Sequence, residues 1–130
     1  MPLTLKQMIE AANAEVPRID REAAEAKIAE GALLLDVRDA PELVQAGKVP
    51  GAHHVSRGML EFRADVSSPF YDPEFRTDRA VILYCGAGGR AALAGKVLKE
   101  MGFAEVHNLG GFKDWVEAGH PVERPMDKGM

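Results

Sequence analysis

Short apolar runs alternate along the chain with segments in which apolar residues recur at helical spacing. Residues 32–35 and 80–84 contain no charge and are rich in Leu, Val and Ile, which is typical of parallel strands buried on both faces. Residues 23–29 and 90–101 instead repeat apolar positions every three or four residues, as on one face of a helix. This alternation predicts an α/β fold with a mostly parallel sheet of about five strands flanked by helices.

Three weaker patterns supply the other strands. Residues 16–19 contain Pro17, which is tolerated at the edge of a sheet. Residues 52–55 follow a turn signal at 49–51, where proline precedes glycine. Residues 104–109 alternate between apolar and polar positions, as in a half-covered strand. Together with the two buried runs, these segments make up the five predicted strands.

The C-terminal part of the sequence predicts a tight turn followed by a final helix. The pair Gly110-Gly111 suits a turn, and a helix is expected over residues 112–119, ending at a glycine. Phe112, Trp115 and Val116 share the expected inner face of this helix. We therefore expect all three side chains to pack on the core.

The chain, residues 1–130, is predicted to form a single domain, whose core is expected at about 19–122 and whose two ends extend beyond that core. Residues 3–14 form an amphipathic helix that begins at Thr4, with Gln7 three positions on as its capping-box partner. This helix would either dock on the domain or mediate self-association as a homodimer, and its pattern fits both. Residues 123–130 are expected to be a polar tail.

Composition and charge narrow the choice of partners and compartment. The chain has 130 residues, which fits one domain, and its formal net charge of -4 argues against general affinity for nucleic acid or an anionic membrane. It has no apolar run long enough to span a membrane, and it does not begin with the pattern of a signal peptide. The single cysteine cannot form an internal disulfide, so a reducing, cytoplasmic location is expected.

Cys85, the only cysteine, ends the second buried run and is followed by the small residues 86–89 and by Arg90. Backbone N–H groups of a glycine-rich turn can converge on one point, and the following helix adds free N–H donors and a positive dipole end. Cysteines at helix N-termini or beside arginine ionise readily, so we expect Cys85 to react as a thiolate. The alternative, a small apolar residue at a buried strand end, leaves the three glycines that follow unexplained.

The pattern Cys85-x-x-Gly88-x-Arg90 after an apolar strand resembles the active-site loop of the rhodanese sulfurtransferases. Three further segments are similar to that family: the Asp-x-Arg at 36–38, the Gly-Lys-Val-Pro-Gly-Ala at 47–52, and the C-terminal stretch 108–122. The family usually has a histidine where this chain has Lys48. Together these segments extend the resemblance over most of the chain and imply a rhodanese-like fold.

The resemblance implies an enzyme of the thiosulfate sulfurtransferase type that needs no cofactor. Cys85 would carry a sulfane sulfur as a persulfide, taken from a small anionic donor such as thiosulfate and passed to cyanide or a thiol. Backbone N–H groups of the loop would stabilise the anionic sulfur, as in an oxyanion hole, and Arg90 would position the loop or the anion. The substrate-binding residues implied in this way are Gly86, Ala87, Gly88, Gly89 and Arg90.

Three other functions compete with this one. Thioredoxin-like redox chemistry would need a second cysteine where Gly88 stands. Phosphatases and arsenate reductases with a related loop have five residues between Cys and Arg, whereas Cys85 and Arg90 enclose four, a smaller cradle that suits sulfur better than phosphate. A non-enzymatic rhodanese-like module, which carries sulfur or binds a partner protein, would retain the same cysteine.

The stretch 57–79 before the second buried run has the composition of a long loop, and long loops in compact domains are often functional. Arg57, Arg63, Phe70 and Tyr71 are therefore candidates for lining a pocket that admits an anion. In the alternative interpretation, the aromatic side chains cover the core and the arginines are solvated. The residues themselves favour neither.

Two pairs of ionisable residues are expected to be structural. Asp36 and Arg38 end a buried run, and we interpret them as an ion pair that tethers the next loop, because buried charges are normally paired. His53 and His54 are adjacent in an expected strand, so their side chains point to opposite faces and do not suit a shared metal ion. No metal site is predicted.

Overall fold

The computed structural model describes residues 2–124 of the chain, so most of the tail predicted at 123–130 lies outside it. The helices are α1 (Leu5–Glu15), α2 (Arg21–Ala29), α3 (Ala40–Ala46), α4 (Leu60–Ala64), α5 (Gly89–Glu100) and α6 (Phe112–Glu117). The strands are β1 (Leu33–Asp36), β2 (His53–His54), β3 (Val81–Cys85) and β4 (Val106–Gly111), and a short 3-10 helix, Arg57–Met59, precedes α4. None of these helices combines the length and apolar composition needed to cross a bilayer.

The described strands form one parallel sheet in the order β2-β1-β3-β4, which confirms the predicted α/β class. The sheet has four strands within the described residues, one fewer than predicted, because the expected first strand forms only a single bridge, from Arg18 to Asn108. Around this bridge, the backbone carbonyl of Asn108 accepts from the Ile19 N–H, and the backbone N–H of Asn108 donates to the Pro17 carbonyl. Pro17 has no N–H with which to extend the ladder, and Asp20 already caps α2.

The side chains of β3 alternate between two cores on opposite faces of the sheet. Val81, Leu83 and Cys85 face the core that also contains buried residues of α4 and α5. Ile82 and Tyr84 face the second core, which contains residues of α2 and α6. Cys85 therefore lies at the carboxyl end of a central strand, where parallel sheets bind their ligands.

The N-terminal helical extension docks on the domain by one face. Thr4 and Gln7 form the predicted capping box, with hydrogen bonds of 2.9 and 3.1 Å. α1 packs on α5, and Ala12 is fully buried. Leu5 and Met8 are 64% and 44% exposed, so α1 keeps an apolar surface that the described part of the domain does not cover.

The end of β4 differs from the predicted turn. Gly110 and Gly111 are the last two residues of the strand, and α6 begins immediately after them. The pairing of β4 with β3 shifts by one residue, so that Leu109 has no partner opposite it, as in a β-bulge. Gly110 accommodates the bulge with a φ of 106°, a left-handed conformation that favours glycine.

Helix α6 buries a narrower face than its sequence predicts. Phe112 is buried and stacks on Tyr84 with ring centroids 6.2 Å apart, and Trp115 is half-buried against the same core. Val116 is 46% exposed, so its expected place on the inner face is wrong. Because α6 has only six residues, the face it turns to the core consists mainly of Phe112 and Trp115, which are three positions apart.

Asp36 and Arg38 form a buried ion pair at the carboxyl end of β1. The Arg38 Nη2 donates to Asp36 Oδ2 at 2.8 Å and to the Gly47 carbonyl at 2.8 Å, and both ion-pair residues are almost completely buried. The guanidinium also lies over the Phe112 ring, 4.2 Å from its centroid. The geometry agrees with the tether interpretation, because the pair fixes the end of α3 to the sheet.

Replacement of Asp36 by alanine should strongly destabilise the protein, because it leaves the Arg38 charge buried without its partner. We expect the free energy of unfolding to fall by about 3–5 kcal/mol in urea titrations. The matched control is Asp78→Ala, which breaks the exposed ion pair with Arg76 and should cost less than about 1 kcal/mol. Equal losses in the two variants would contradict the prediction.

Candidate active site

The Cys85 sulfur is the focus of the hydrogen bonds at the end of β3. The side chain is only 1% exposed, and Sγ accepts from the Gly88 N–H at 3.0 Å and from the Ala91 N–H at 3.4 Å. Two backbone donors aimed at one sulfur stabilise negative charge on it. The sulfur thus lies inside the turn that the sequence predicts to be a cradle.

The loop after Cys85 can follow this tight path because of its glycines. Gly88 has a φ of 108° and is the N-cap of α5, a position at which a side chain would be strained. Helix α5 then begins at Gly89, and the Ala91 N–H that reaches the sulfur belongs to its first turn. The N-terminal end of a helix dipole therefore points at Sγ.

Two carbonyl groups of the loop are bound by residues of β4 and α6. The Gly86 carbonyl accepts from the Lys113 N–H at 3.3 Å. The Gly88 carbonyl accepts from the Asn108 side-chain amide at 3.1 Å. β4 approaches so closely that a Cβ on Gly111 would lie 2.5 Å from the Gly86 carbonyl oxygen. The end of β4 and the start of α6 thus support the loop from behind.

Several N–H groups of the loop remain available to a ligand. Within residues 2–124, the N–H groups of Gly86, Ala87, Gly89 and Arg90 have no hydrogen-bond acceptor. They belong to the same turn as the two donors that reach Sγ. The site can therefore offer further N–H donors to an anion or to a second sulfur atom bonded to Cys85.

Arg90 is held by Glu42, a residue that sequence reasoning did not single out. Two parallel hydrogen bonds of 2.8 and 2.9 Å join the guanidinium to the Glu42 carboxylate on α3. The guanidinium lies over the loop, since a Cβ on Gly86 would be 3.0 Å from Arg90 Nη2. Glu42 also accepts from the Asp39 N–H as part of a capping box. The spacing of these two residues is the local pattern in the sequence that could have pointed to Glu42.

The Glu42–Arg90 pair shifts the titration of both groups. The hydrogen bonds from Arg90 lower the pKa of Glu42 from its ordinary value of 4.5 to about 2. The same bonds with Glu42 raise the pKa of Arg90. Arg90 therefore carries its charge at all accessible pH values, but Glu42 balances most of that charge next to the loop.

Two of the four candidate pocket residues are engaged in ion pairs. Arg57 donates to Glu61 at 2.9 Å, and Arg63 lies 3.4 Å from Asp72. Arg57 follows β2 and its N–H donates to the Val37 carbonyl, so it starts at the same end of the sheet as Cys85. The Arg57 side chain, however, is bound to Glu61 of α4.

The two aromatic candidates are adjacent in sequence but have different partners. Phe70 is 54% exposed and contacts Phe62 edge to face. The Tyr71 hydroxyl donates to the Phe75 carbonyl, and Tyr71 lines a cavity with Phe103, beyond the C-terminal end of α5. Because Cys85 lies at the N-terminal end of that helix, the structure does not bring Tyr71 to the sulfur.

The adjacent histidines have separate partners. His53 Nε2 lies 2.5 Å from Asp72 Oδ2, and His54 Nε2 donates to the Arg38 carbonyl at 2.6 Å. The two rings therefore tie β2 to different segments.

A shallow depression of about 400 Å³ opens beside the loop. It is bordered by Gly86, by Phe112 and Val116 of α6, and by the charged side chains of Lys113 and Glu117. The exposure of Val116 thus leaves an apolar surface next to the loop that carries Cys85.

Comparison with known proteins agrees with this geometry. The family model described as the rhodanese-like domain matches residues 20–118. The chain therefore belongs to the rhodanese-like family. Its parallel α/β sheet flanked by helices matches the solved structures of similar proteins.

Several relatives are named as sulfurtransferases. The chain is 32% identical over 113 residues to a sulfurtransferase of Allochromatium vinosum, covering 85% of this chain and 97% of that protein. It is 34% identical over 105 residues to the thiosulfate sulfurtransferase GlpE of Pseudomonas fluorescens, covering 78% and 85%. A third relative, the uncharacterised protein YqhL of Bacillus subtilis, is 36% identical over 85 residues, or 65% of this chain, and the match spans only 60% of YqhL.

Two solved structures are similar over most of the chain. A Rhodopseudomonas palustris protein of unknown function, described as a possible tyrosine phosphatase, has a TM-score of 0.83 at 38% identity, covering 95% of this chain and 99% of that one. The homodimeric polysulfide-sulfur transferase of Wolinella succinogenes has a TM-score of 0.71 at 34% identity, covering 90% and 85%.

The Glu42–Arg90 pair should stabilise the protein in a pH-dependent way. Because the folded-state pKa of Glu42 is lowered, its contribution is present above the ordinary pKa of 4.5 and is lost as the pH falls towards about 2. We expect Glu42→Gln to lower the free energy of unfolding at pH 7 by about 1 kcal/mol, since both side chains are partly exposed and screened. The difference from wild type should shrink below pH 4.5 and vanish near pH 2.

Denaturant titrations of both proteins across this pH range measure the effect. The control is Glu117→Gln, because Glu117 is exposed and forms no ion pair within the described residues. A constant difference between Glu42→Gln and wild type at every pH would contradict the assignment.

Proposed function

We propose that the protein is a sulfurtransferase that moves a sulfane sulfur from thiosulfate or a related donor to a thiophilic acceptor through a persulfide on Cys85. The observation that carries this proposal is the convergence of backbone N–H groups on Sγ, two of which contact it while others in the same turn have no acceptor within the described residues. The names of the relatives support the same chemistry. The site supports an anionic donor, because N–H groups favour anions.

The first half of the reaction forms the persulfide. The Cys85 thiolate, whose proton has gone to solvent, attacks the outer sulfur of thiosulfate. A new S–S bond forms to Cys85, and the S–S bond of thiosulfate breaks with its electron pair leaving on sulfite. The N–H groups of Ala87, Gly89 and Arg90 would stabilise the terminal sulfur of the persulfide, as an oxyanion hole stabilises an oxygen.

The second half returns the enzyme to its starting state. Cyanide or a thiolate attacks the terminal sulfur, and the S–S electron pair returns to Cys85. The product is thiocyanate or a new persulfide, and no net oxidation or reduction of the protein occurs.

A phosphatase is the second candidate, favoured by the description of the Rhodopseudomonas palustris neighbour. Against it, Cys85 and Arg90 enclose four residues, and the Arg90 guanidinium is bound bidentately by Glu42. An arginine occupied in this way does not present its paired N–H groups to a phosphate. Turnover of a phosphomonoester, assayed beside thiosulfate, separates the two candidates.

A carrier function differs from an enzyme only in rate. A carrier would form the same persulfide but pass its sulfur on slowly in the absence of a partner protein. Fast thiocyanate production would favour the enzyme, and a stable persulfide with slow turnover would favour the carrier. In either case a reactive single thiol is best preserved in a reducing compartment, so we propose the cytoplasm.

We also propose that α1 supports a homodimer. Its exposed apolar residues Leu5 and Met8, with Leu3 before them, form a surface that the rest of the described chain leaves uncovered. Such surfaces usually mark contacts between proteins. The Wolinella succinogenes neighbour, which covers this chain almost completely, is a homodimer.

Cys85→Ser should abolish sulfur transfer, because a hydroxyl cannot form the persulfide. We expect intact-mass spectrometry to detect one added sulfur atom on the wild-type protein after thiosulfate, removed again by cyanide, and none on the variant. Lys99→Gln, an exposed change near the far end of α5, is the control and should behave as wild type. Thiocyanate production by Cys85→Ser would refute the role of Cys85.

Charged residues on α1 should disrupt the proposed dimer. For the double variant Leu5→Lys, Met8→Lys, light scattering after gel filtration should give a monomer mass where the wild type gives a dimer mass. Persulfide formation and helix content should be retained. Glu10→Lys, an exposed change on the same helix, is the control. A monomeric wild type, or an unchanged mass for the double variant, would contradict the proposal.

A further inference from the structure

We propose that Asn108 is a positioning residue that sets the direction of the Gly89 N–H in the sulfur-binding loop, a role that rests on the sulfurtransferase function proposed above. Asn108 is 2% exposed and lies in β4, beside the central strand. Its side-chain amide joins two backbone segments. Nδ2 donates to the Gly88 carbonyl at 3.1 Å, and Oδ1 accepts from the Gly110 N–H at 2.8 Å.

The direction of the Gly89 N–H follows from the geometry of the peptide group. A trans peptide is planar, so the Gly88 carbonyl and the Gly89 N–H point in opposite directions. Asn108 holds the carbonyl on the β4 side of the loop. The Gly89 N–H must therefore point away from β4, and it has no acceptor within the described residues.

The Gly86–Ala87 peptide, two residues earlier, is held in the same way by a different donor. The Lys113 N–H binds the Gly86 carbonyl, so the Ala87 N–H points in the opposite direction. The donor for Gly86 is a backbone group and survives any side-chain substitution other than proline. The donor for Gly88 is a side chain, so a substitution can remove it while leaving the other in place.

The Gly88–Gly89 peptide needs such an anchor because glycine flanks it on both sides. Glycines populate several regions of φ and ψ at similar energy, so this peptide can rotate at little cost if its carbonyl is released. The Ala92 N–H also donates to the Gly88 carbonyl, at 3.0 Å, but that bond comes from the first turn of α5 itself. Asn108 supplies the contact from outside the helix.

Asn108 also shapes the support behind the loop. Its Oδ1 binds the N–H of Gly110 across the bulge at Leu109. The bulge leads β4 to Gly111, where a Cβ would lie 2.8 Å from the Ala87 Cα. The backbone carbonyl of Asn108 is in turn bound by the Ile19 N–H and by Arg18 Nε at 3.2 Å. Hydrogen bonds therefore hold both the side-chain amide and the backbone carbonyl of Asn108.

Asn108→Asp tests this role because it keeps the acceptor for Gly110 and removes the donor to Gly88. We expect persulfide formation from thiosulfate to slow by about 10- to 100-fold, somewhat less than the loss of a complete oxyanion-hole donor. Stopped reactions analysed by intact mass measure this rate. A wild-type rate in the variant overturns the proposal.

A second readout reports the N–H direction without any chemistry. In isotope-labelled protein, residual dipolar couplings give the orientation of each amide vector. We expect Asn108→Asp to change the Gly89 vector and to leave that of Ala87 as in the wild type. On persulfide formation the Gly89 amide resonance should shift in the wild type and not in the variant. An unchanged Gly89 vector overturns the proposal even if the rate falls.

Two further proteins separate positioning from loss of stability. Ile82→Val removes one methylene from the opposite core and should lower the melting temperature without changing the Gly89 vector or the rate. Asn108→Ser avoids a buried carboxylate and is used if Asn108→Asp does not fold, with the same expectations. If the wild type accepts no sulfur from thiosulfate, the proposed function fails, and the dipolar couplings of the reduced proteins still decide the role of Asn108.

Discussion

The conformation of the loop after Cys85 depends on where its carbonyl groups are bound. Lys113 and Asn108 bind the carbonyls of Gly86 and Gly88, and because the peptide group is planar, the N–H groups of Ala87 and Gly89 point the opposite way. The N–H groups of Gly88 and Ala91, which contact Sγ, belong to the same loop and to the first turn of α5. A site made of backbone dipoles is therefore as well ordered as the strand and the helix that lie behind it.

Helix α3 links the two ion pairs that surround this loop. Its C-terminal end is fixed by Arg38, which donates to the Gly47 carbonyl while paired with Asp36. Its first turn carries Glu42, which holds Arg90 over the loop. The Asp36–Arg38 pair thus fixes one end of α3, and the Glu42–Arg90 pair joins the other end of α3 to the loop. A residue that touches nothing near the sulfur can still affect the loop, because it determines where Glu42 stands.

Local patterns in the sequence predict the elements of this site but not the contacts between them. The apolar run before Cys85, the glycines after it and the helix beyond Arg90 are each encoded within a few residues, and the structure has them. The pairing of Glu42 with Arg90 and of Asn108 with Gly88 joins residues that are 48 and 20 positions apart. Helix and strand propensities and the spacing of apolar residues carry no information about pairs so far apart in the sequence. The bulge at Leu109, which displaced the expected turn at Gly110, likewise arises from pairing with β3.

In the proposed reaction, the balance of charge around the loop would favour transfer of the sulfur over tight binding of the donor. Because Glu42 neutralises most of the Arg90 charge, the attraction for an anion must come mainly from N–H groups and the α5 dipole. Such dipoles act strongly only within about a turn of the helix end, whereas a free guanidinium would act at longer range. In the proposed reaction, charge on the sulfur bonded to Cys85 would therefore be stabilised more than charge on a departing sulfite. The net charge of -4 would add to this difference by repelling the anion once it has left the loop.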